Sequence, residues 1–276
     1  MAHKSYFCPH GSSKETLDGC KEALHRLRFN PTAIDFITLY TVLTIFLATL
    51  VRSVFGFGES LIAVPLLALY LPIEIAVPVS VLVSVAVAGV VVVQDWQKIH
   101  FSSAGWLVLF SMLGIPLGLW LLTNADEQWV KASLAAVIIG FSLYSLFGRT
   151  ITLETDSKFG LFLCGLLAGV FGGAYGLNGP PLVVYGAMRR WSAQHFRATL
   201  QGYFLPASLM GMIGYWINGL WVAQVTSLFL WSLPAVFLAT FLGRAINRRM
   251  NGTSFFTYVY IGLIGIGIVL LLESLR

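Results

Sequence analysis

The chain has 276 residues, of which 57% are hydrophobic and only 11% are charged. A soluble domain carries about 25% charged residues, and a soluble fold of this length has too much surface for so few charges to cover. The composition therefore excludes an ordinary soluble protein. The net charge of +5 does not indicate nucleic-acid binding, because the basic residues lie in short loops between apolar runs, where they orient membrane helices.

Residues 1–33 form a polar N-terminal tail of mixed charge, with a short helix predicted near 14–27. The tail contains Cys8, Cys20 and three histidines. Their spacing fits no known set of metal ligands, so no metal site is predicted. The first apolar run begins near Ile34, which is too far into the chain for an ordinary signal peptide.

The apolar runs that follow have the length of membrane-spanning helices, which need about 20 residues. Eight runs approach this length, namely 34–54, 75–93, 104–122, 130–147, 159–175, 196–217, 225–242 and 255–272. Two shorter apolar runs, 61–71 and 181–188, are each about half a membrane long. Each of these short runs directly follows a glycine-rich break.

The two breaks are the segments 56–60 (GFGES) and 172–181 (GGAYGLNGPP), about 120 residues apart. In each half the order is a long helix, the break, a short apolar run and three long helices. We therefore predict an all-α, polytopic transmembrane bundle built from an internal duplication. Its repeats are 34–148 and 158–276, joined by a linker at 149–157, and each contains a broken or re-entrant segment.

Interrupted helices at membrane depth indicate a binding site. Unpaired backbone groups cannot face lipid, so they must contact protein or a water-filled cavity. Breaks at matching places in two repeats are typical of the substrate site of a transporter, and free N–H groups at helix starts attract anions. The alternative is that the glycines only allow helices to pack closely. Two breaks in register favour a midplane site for a small anion.

These segments also resemble a known family. Gly56-x-Gly58 is followed by Pro65-Leu66 and by the stretch 74–76 (EIA), and the second break is followed by 196–201 (FRATLQ). Together these motifs resemble the TauE/SafE sulfite exporter family over nearly all of the chain beyond the tail. The resemblance implies a duplicated permease for small anions, often sulfite or organosulfonates, with no bound cofactor. The chain departs from the family in having Glu59-Ser60 where consecutive glycines are common.

Arg52 and Glu59 are the charged residues predicted near the first break. A mid-helix arginine costs about 2.5–3.5 kcal/mol to insert, so Arg52 should not face lipid. Its guanidinium can bind two oxygens of an anion, reach the membrane interface, or neutralise Glu59. Glu59 is either a proton-coupling group or only the structural partner of Arg52.

A further set of residues near the two breaks carries the predicted substrate site. The resemblance points to Arg197, which alternatively is a loop arginine that orients the helix. The predicted substrate-binding residues are Arg52, Gly56, Gly58, Ser60, Gly176, Asn178, Gly179, Arg197, Thr199 and Gln201. No catalytic residue and no metal ligand is predicted.

Basic residues predict the orientation of the chain in the cell inner (plasma) membrane. The basic loops 189–197 and 244–249 are predicted to be cytoplasmic, and the uncharged turn at Asn218 external. The five basic residues of the tail favour the inside, whereas a strictly inverted duplication places the tail outside. Both alternatives stay open, as does a count of eight to ten crossings.

The sequence thus predicts a secondary permease with alternating access at a site between the repeats. Its expected partners are a small anionic substrate and the lipid bilayer. An enzyme is not predicted, because the apolar segments contain no nucleophile, base or ligand constellation. A non-transport membrane assembly factor, or a permease for an unrelated small solute, is the alternative. Substrate identity, direction, coupling ion and oligomeric state are not predicted.

Overall fold

The computed structural model describes residues 35–95, 101–147, 158–189, 193–247 and 254–274. Within these ranges the chain forms helices and no strands, which confirms the predicted all-α class. The ten helices are α1 (Phe36–Phe55), α2 (Glu59–Leu67), α3 (Ile73–Asp95), α4 (Phe101–Asn124), α5 (Glu127–Phe147), α6 (Lys158–Tyr175), α7 (Gly179–Met188), α8 (Ala193–Ile217), α9 (Ala223–Asn247) and α10 (Ser254–Ser274). The predicted tail helix, the tail cysteines and the linker lie outside the described residues.

The long helices have the length and composition of membrane spans. In the described part of the chain, five stretches are long and apolar enough to cross a membrane, and they belong to α1, α3, α4, α5 and α9. Large apolar side chains point outward from them, for example Leu117, Trp120 and Phe241, with 57%, 65% and 64% of their surface exposed. Exposed apolar faces of this extent contact lipid in a multi-pass membrane protein.

The first break folds α1 and α2 into a hairpin. Gly56 and Gly58 have φ angles of 90° and 96°, which side chains with a Cβ rarely adopt. The Tyr40 hydroxyl donates to the Leu66 carbonyl oxygen at 2.7 Å, and the Tyr40 and Tyr70 rings are 4.7 Å apart. The end of α2 therefore lies beside the start of α1, and the short helix runs back along the long one.

The second break ends α6 in the same way. Gly176 has a φ of 66°, and its N–H donates to the Gly172 carbonyl oxygen at 2.9 Å. The next N–H, of Leu177, donates to the Phe171 carbonyl oxygen at 3.0 Å. A left-handed glycine with such backward bonds is a common way to end a helix. The chain then turns, and α7 packs back against α6.

The closest helix packing joins α4 to α6 along a seam of glycines. Gly114 and Gly118 lie on α4, and Gly165, Gly169 and Gly173 lie on α6. A methyl group added at any of these positions would overlap with the facing helix, and at all but Gly165 its nearest contact would be backbone. Small residues spaced by four let membrane helices approach to backbone contact. The two helices therefore form one rigid pair.

The remaining helices pack in pairs around this seam. α1 packs extensively against α9, α5 against α10, and α3 against α8, while α4 also contacts α8 and α9 also contacts α3. The α3–α8 pair thus connects the α1–α9 pair to the α4–α6 pair. This arrangement brings the two breaks, at the ends of α1 and α6, to the same region.

Candidate functional site

Both breaks line one small cavity. Its volume is about 30 Å³, which is room for little more than one water-sized group. Its walls are the segments 57–61 and 176–179 together with Arg52, Ser84 and Phe204. The two segments predicted to form a site from opposite halves of the sequence therefore meet.

The starts of two short helices face this cavity, but they offer different donors. α2 begins at Glu59 after Gly58, which supplies no side-chain cap, so the first N–H groups of α2 remain available to a ligand. α7 begins with Gly179-Pro180-Pro181, and proline has no N–H. Proline also favours the start of a helix. The first break thus supplies more backbone donors than the second.

Arg52 contributes the positive charge of the cavity. Only 3% of the residue is exposed, so its guanidinium does not reach the membrane interface, and it forms an ion pair with Glu59. Its Nη1 donates to Glu59 Oε2 and to Ser84 Oγ at 2.6 Å. Its Cζ lies 5.1 Å from the centre of the Phe204 ring, within the range of a cation–π contact.

One side of the Arg52 guanidinium has no protein partner. Among the described residues, neither Nε nor Nη2 has a hydrogen-bond acceptor. Nε and Nη2 carry two parallel N–H groups, the pair that binds two oxygens of one anion. We call Nε and Nη2 the open edge of Arg52.

Glu59 balances this charge. It is 2% exposed, its Oε2 accepts from Arg52, and its Oε1 has no partner in the part of the chain that is described. The first break therefore places a neutral ion pair beside the cavity. Among the described residues, Arg52 Nε and Nη2 and Glu59 Oε1 have no hydrogen-bond partner.

Asn178 adds a polar group from the second break. It is 6% exposed, and its Oδ1 has no hydrogen-bond partner among the described residues. A methyl group added at Gly172 would overlap with this amide, so the absence of a side chain at Gly172 makes room for Asn178. Across the cavity, Ser80 Oγ donates to Ser60 Oγ at 3.1 Å, which ties α3 to the start of α2.

Residues 41–270 match the family model described as Sulfite exporter TauE/SafE. The chain belongs to this family. The matched range contains both breaks and every residue of the cavity. No curated protein and no solved structure compared with the chain matches it. Family membership and the apolar helices together establish a multi-pass membrane protein of a transporter family for sulfite-type anions.

The cavity of this TauE/SafE chain contains most of the predicted site residues. They are Arg52, Gly58, Glu59, Ser60, Gly176, Asn178 and Gly179. Gly56 shapes the first break without lining the cavity. Thr199 is fully buried but does not line the cavity. The side chains of Arg197 and Gln201 lie outside the described residues, so their predicted roles stay predictions.

Sequence reasoning missed Ser84 and Phe204. Ser84 lies one turn after Ser80 on α3, so a serine pair on one helical face was a signal in the sequence. Phe204 carried no signal, because one aromatic residue among the many of an apolar helix does not reveal which faces a cation. Both depend on how α3 and α8 are rotated about their axes.

Proposed function

We propose that the chain is a secondary permease that moves a small anion, sulfite or an organosulfonate. The cavity between the two breaks is its substrate site in this proposal, and it must widen from its volume of about 30 Å³ to admit the anion. The observation that supports this most directly is the open edge of Arg52. Arg52 lines the cavity beside the uncapped start of α2, and its two parallel N–H groups are buried without an acceptor among the described residues. A sulfur oxyanion carries oxygens in the arrangement that such a fork binds.

The charges of the site support coupling to protons. Arg52 and Glu59 together are neutral, so a bound monoanion leaves one uncompensated negative charge in a buried place. That charge is costly to keep away from water. A proton on the Glu59 carboxyl removes it. We therefore propose that anion and proton occupy the site together, with Glu59 as the proton-coupling group.

The order and packing of the helices support an internal duplication. The helices α1 to α5 have 20, 9, 23, 24 and 21 residues, and α6 to α10 have 18, 10, 25, 25 and 21. Each helix of the first set has a counterpart five places later, α1 with α6 and so on to α5 with α10. When every helix is replaced by its counterpart, the α4–α6 contact becomes α9–α1 and the α4–α8 contact becomes α9–α3, and both of these contacts are present. The α3–α8 and α5–α10 pairs become themselves. The packing thus has the pattern of a pseudo-twofold axis.

The hairpins support an inverted arrangement of the repeats in the membrane. We propose that each hairpin returns to the face where it began and is a re-entrant segment, so that α3, α4 and α5 are three crossings between the two hairpins. Three crossings bring the second hairpin in from the opposite face. The basic residues at the ends of α7 and α9 favour the cytoplasm for that face. The start of α1 then lies at the external face of the cell inner membrane.

Alternating access requires two bodies that move against each other. We propose α1, α2, α3 and α9 as one body and α4, α6, α7 and α8 as the other, with the α3–α8 contact between them. Each body contains helices from both halves, and each carries one break. Motion at the α3–α8 contact would open the cavity toward either face in turn.

Flux measurements on the purified protein in liposomes test this function. Labelled sulfite and sulfoacetate are offered with and without a pH gradient, with chloride as the control anion. We expect saturable sulfite or sulfoacetate flux that a pH gradient drives.

The matched variants are Arg52→Lys, which keeps the charge and loses the fork, and Lys131→Gln, which removes the cation of an exposed pair with Glu127 at 2.9 Å. Flux should fall about tenfold or more for Arg52→Lys and stay unchanged for Lys131→Gln. Normal transport by Arg52→Lys would show that the anion does not bind to the guanidinium of Arg52. Folded wild-type protein without flux of any anion would favour an unrelated solute or an assembly role.

A further inference from the structure

The guanidinium of Arg52 is held by side chains from three different helices. Glu59 is on α2, Ser84 on α3 and Phe204 on α8. Nη1 donates to the Glu59 carboxylate and to Ser84 Oγ at 2.6 Å, and the Phe204 ring lies 5.1 Å from Cζ. Nη1 carries two hydrogens, so its bonds to Glu59 and to Ser84 can exist at the same time.

Of these three partners, only Glu59 changes its charge in the proposed cycle. When Glu59 takes up a proton, its bond to Arg52 is no longer a bond between two charges and becomes weaker. The Ser84 hydroxyl accepts a hydrogen bond whatever the state of Glu59. Among the described residues, Glu59 is the one ion-pair partner of Arg52, so protonation there removes the charge of that partner.

We propose that Ser84 is a positioning residue, which keeps the open edge of Arg52 directed into the cavity while Glu59 is protonated. This inference rests on the proposed function, because it concerns the state in which anion and proton are bound together. Phe204 limits movement of the same guanidinium perpendicular to its plane. Without the Ser84 hydroxyl, protonation of Glu59 would leave Nη1 with the weakened bond to Glu59 and the Ser84 carbonyl oxygen at 3.5 Å, and Arg52 would hold less firmly the orientation that the substrate requires.

The test compares Ser84→Ala in the wild-type chain and in Glu59→Gln, which mimics the protonated carboxyl. Sulfite binding to the purified protein is measured by titration calorimetry, so a loss of transport in Glu59→Gln does not matter. We expect Ser84→Ala to raise the Kd a few-fold in the wild type and about tenfold or more in Glu59→Gln, because Nη1 then keeps only a neutral acceptor at position 59 and the Ser84 carbonyl oxygen at 3.5 Å. In the wild type, the effect of Ser84→Ala should grow as the pH falls.

Two further variants separate positioning from simple packing. Ser84→Thr keeps the hydroxyl and should restore the affinity. Ser80→Ala removes a neighbouring hydroxyl that bonds Ser60 at 3.1 Å and not Arg52, so its effect should be equal in both backgrounds. An equal rise in Kd for Ser84→Ala in both backgrounds would overturn the proposal.

A substrate-free measurement distinguishes this proposal from the proposed function. The same four proteins (wild type, each single variant and the double variant) are melted in detergent without sulfite. Ser84→Ala should lower the Tm more in Glu59→Gln than in the wild type. If wild-type protein binds no sulfite but the loss of Tm is still larger in Glu59→Gln, the proposed substrate is wrong and the role of Ser84 is supported. If Ser84→Ala lowers the Tm equally in both backgrounds, the role of Ser84 is wrong.

Discussion

The glycine seam between α4 and α6 yields a quantitative prediction for Gly169→Ala. A Cβ at Gly169 would lie 2.8 Å from the Ser111 Cα atom, whereas carbon atoms prefer about 3.5–4.0 Å. The obstacle is backbone, so no side chain can turn away, and the helices must separate by about 1 Å. Overpacking of this kind costs about 1–3 kcal/mol.

The control for this change is Gly140→Ala on α5, where a Cβ would meet nothing within 4 Å. Alanine favours helix over glycine by about 1 kcal/mol at both positions, so this gain cancels in the comparison. Gly169→Ala should therefore be less stable than Gly140→Ala by about 1–3 kcal/mol. Unfolding in mixed micelles of increasing SDS content, followed by tryptophan fluorescence, measures the difference. Equal stability of the two variants would refute the backbone contact along the seam.

Three further changes test the site and its supports. Arg52→Gln alone should lower stability by about 3–5 kcal/mol, because it leaves Glu59 buried without its partner, and adding Glu59→Gln should recover part of the loss in the same SDS titration. Tyr215→Phe should cost about 1–3 kcal/mol, because the Tyr215 hydroxyl donates to the Gly172 carbonyl oxygen at 3.0 Å and to the next carbonyl oxygen at 2.9 Å; an unchanged Tm would contradict this. Gly172→Ala should displace the Asn178 amide, lower the Tm and reduce sulfite flux. Adding Asn178→Gly should restore the Tm without restoring the flux. A double variant as unstable as Gly172→Ala would show that the Asn178 side chain is not what the added methyl group overlaps with.

The positions of the two breaks were predictable because they depend on local chemistry. Glycine at 56, 58 and 176 permits backbone angles that other residues avoid, and Pro180-Pro181 favours a helix start. The segments could also be recognised as interruptions because the apolar runs on both sides have membrane length. We expected the two breaks to meet at one site because two symmetric repeats would place them together. The sequence indicates this symmetry only through the shared order of elements in its two halves.

The details of the site that escaped prediction depend on the rotation of helices. On α8, the sequence favoured Arg197, Thr199 and Gln201. Of the residues whose side chains are described there, Thr199 does not line the cavity and Phe204 does. On α3, Ser84 contacts Arg52, although it lies far from the break in the sequence. An apolar membrane helix has weak amphipathic patterning, so its buried face cannot be read from periodicity as it can in a soluble bundle. Only the packing of α3 against α8 determines which side chains face inward.

The two breaks are unequal, and under the proposed function this inequality gives one small cavity a place for an anion and a place for a proton. The first break supplies the ion pair and the N–H groups of α2, and the second supplies Asn178 and two residues without an N–H. A buried ion pair stabilises a protein poorly compared with apolar packing, so Arg52 and Glu59 add little that the fold needs. Their value lies in the exchange that the pair allows. An anion at the open edge of Arg52 competes with Glu59 for the same positive charge, and a proton on Glu59 ends that competition. In the proposed cycle, binding of the anion and binding of the proton therefore favour each other by an equal factor, and this reciprocity is what a proton-coupled anion permease requires.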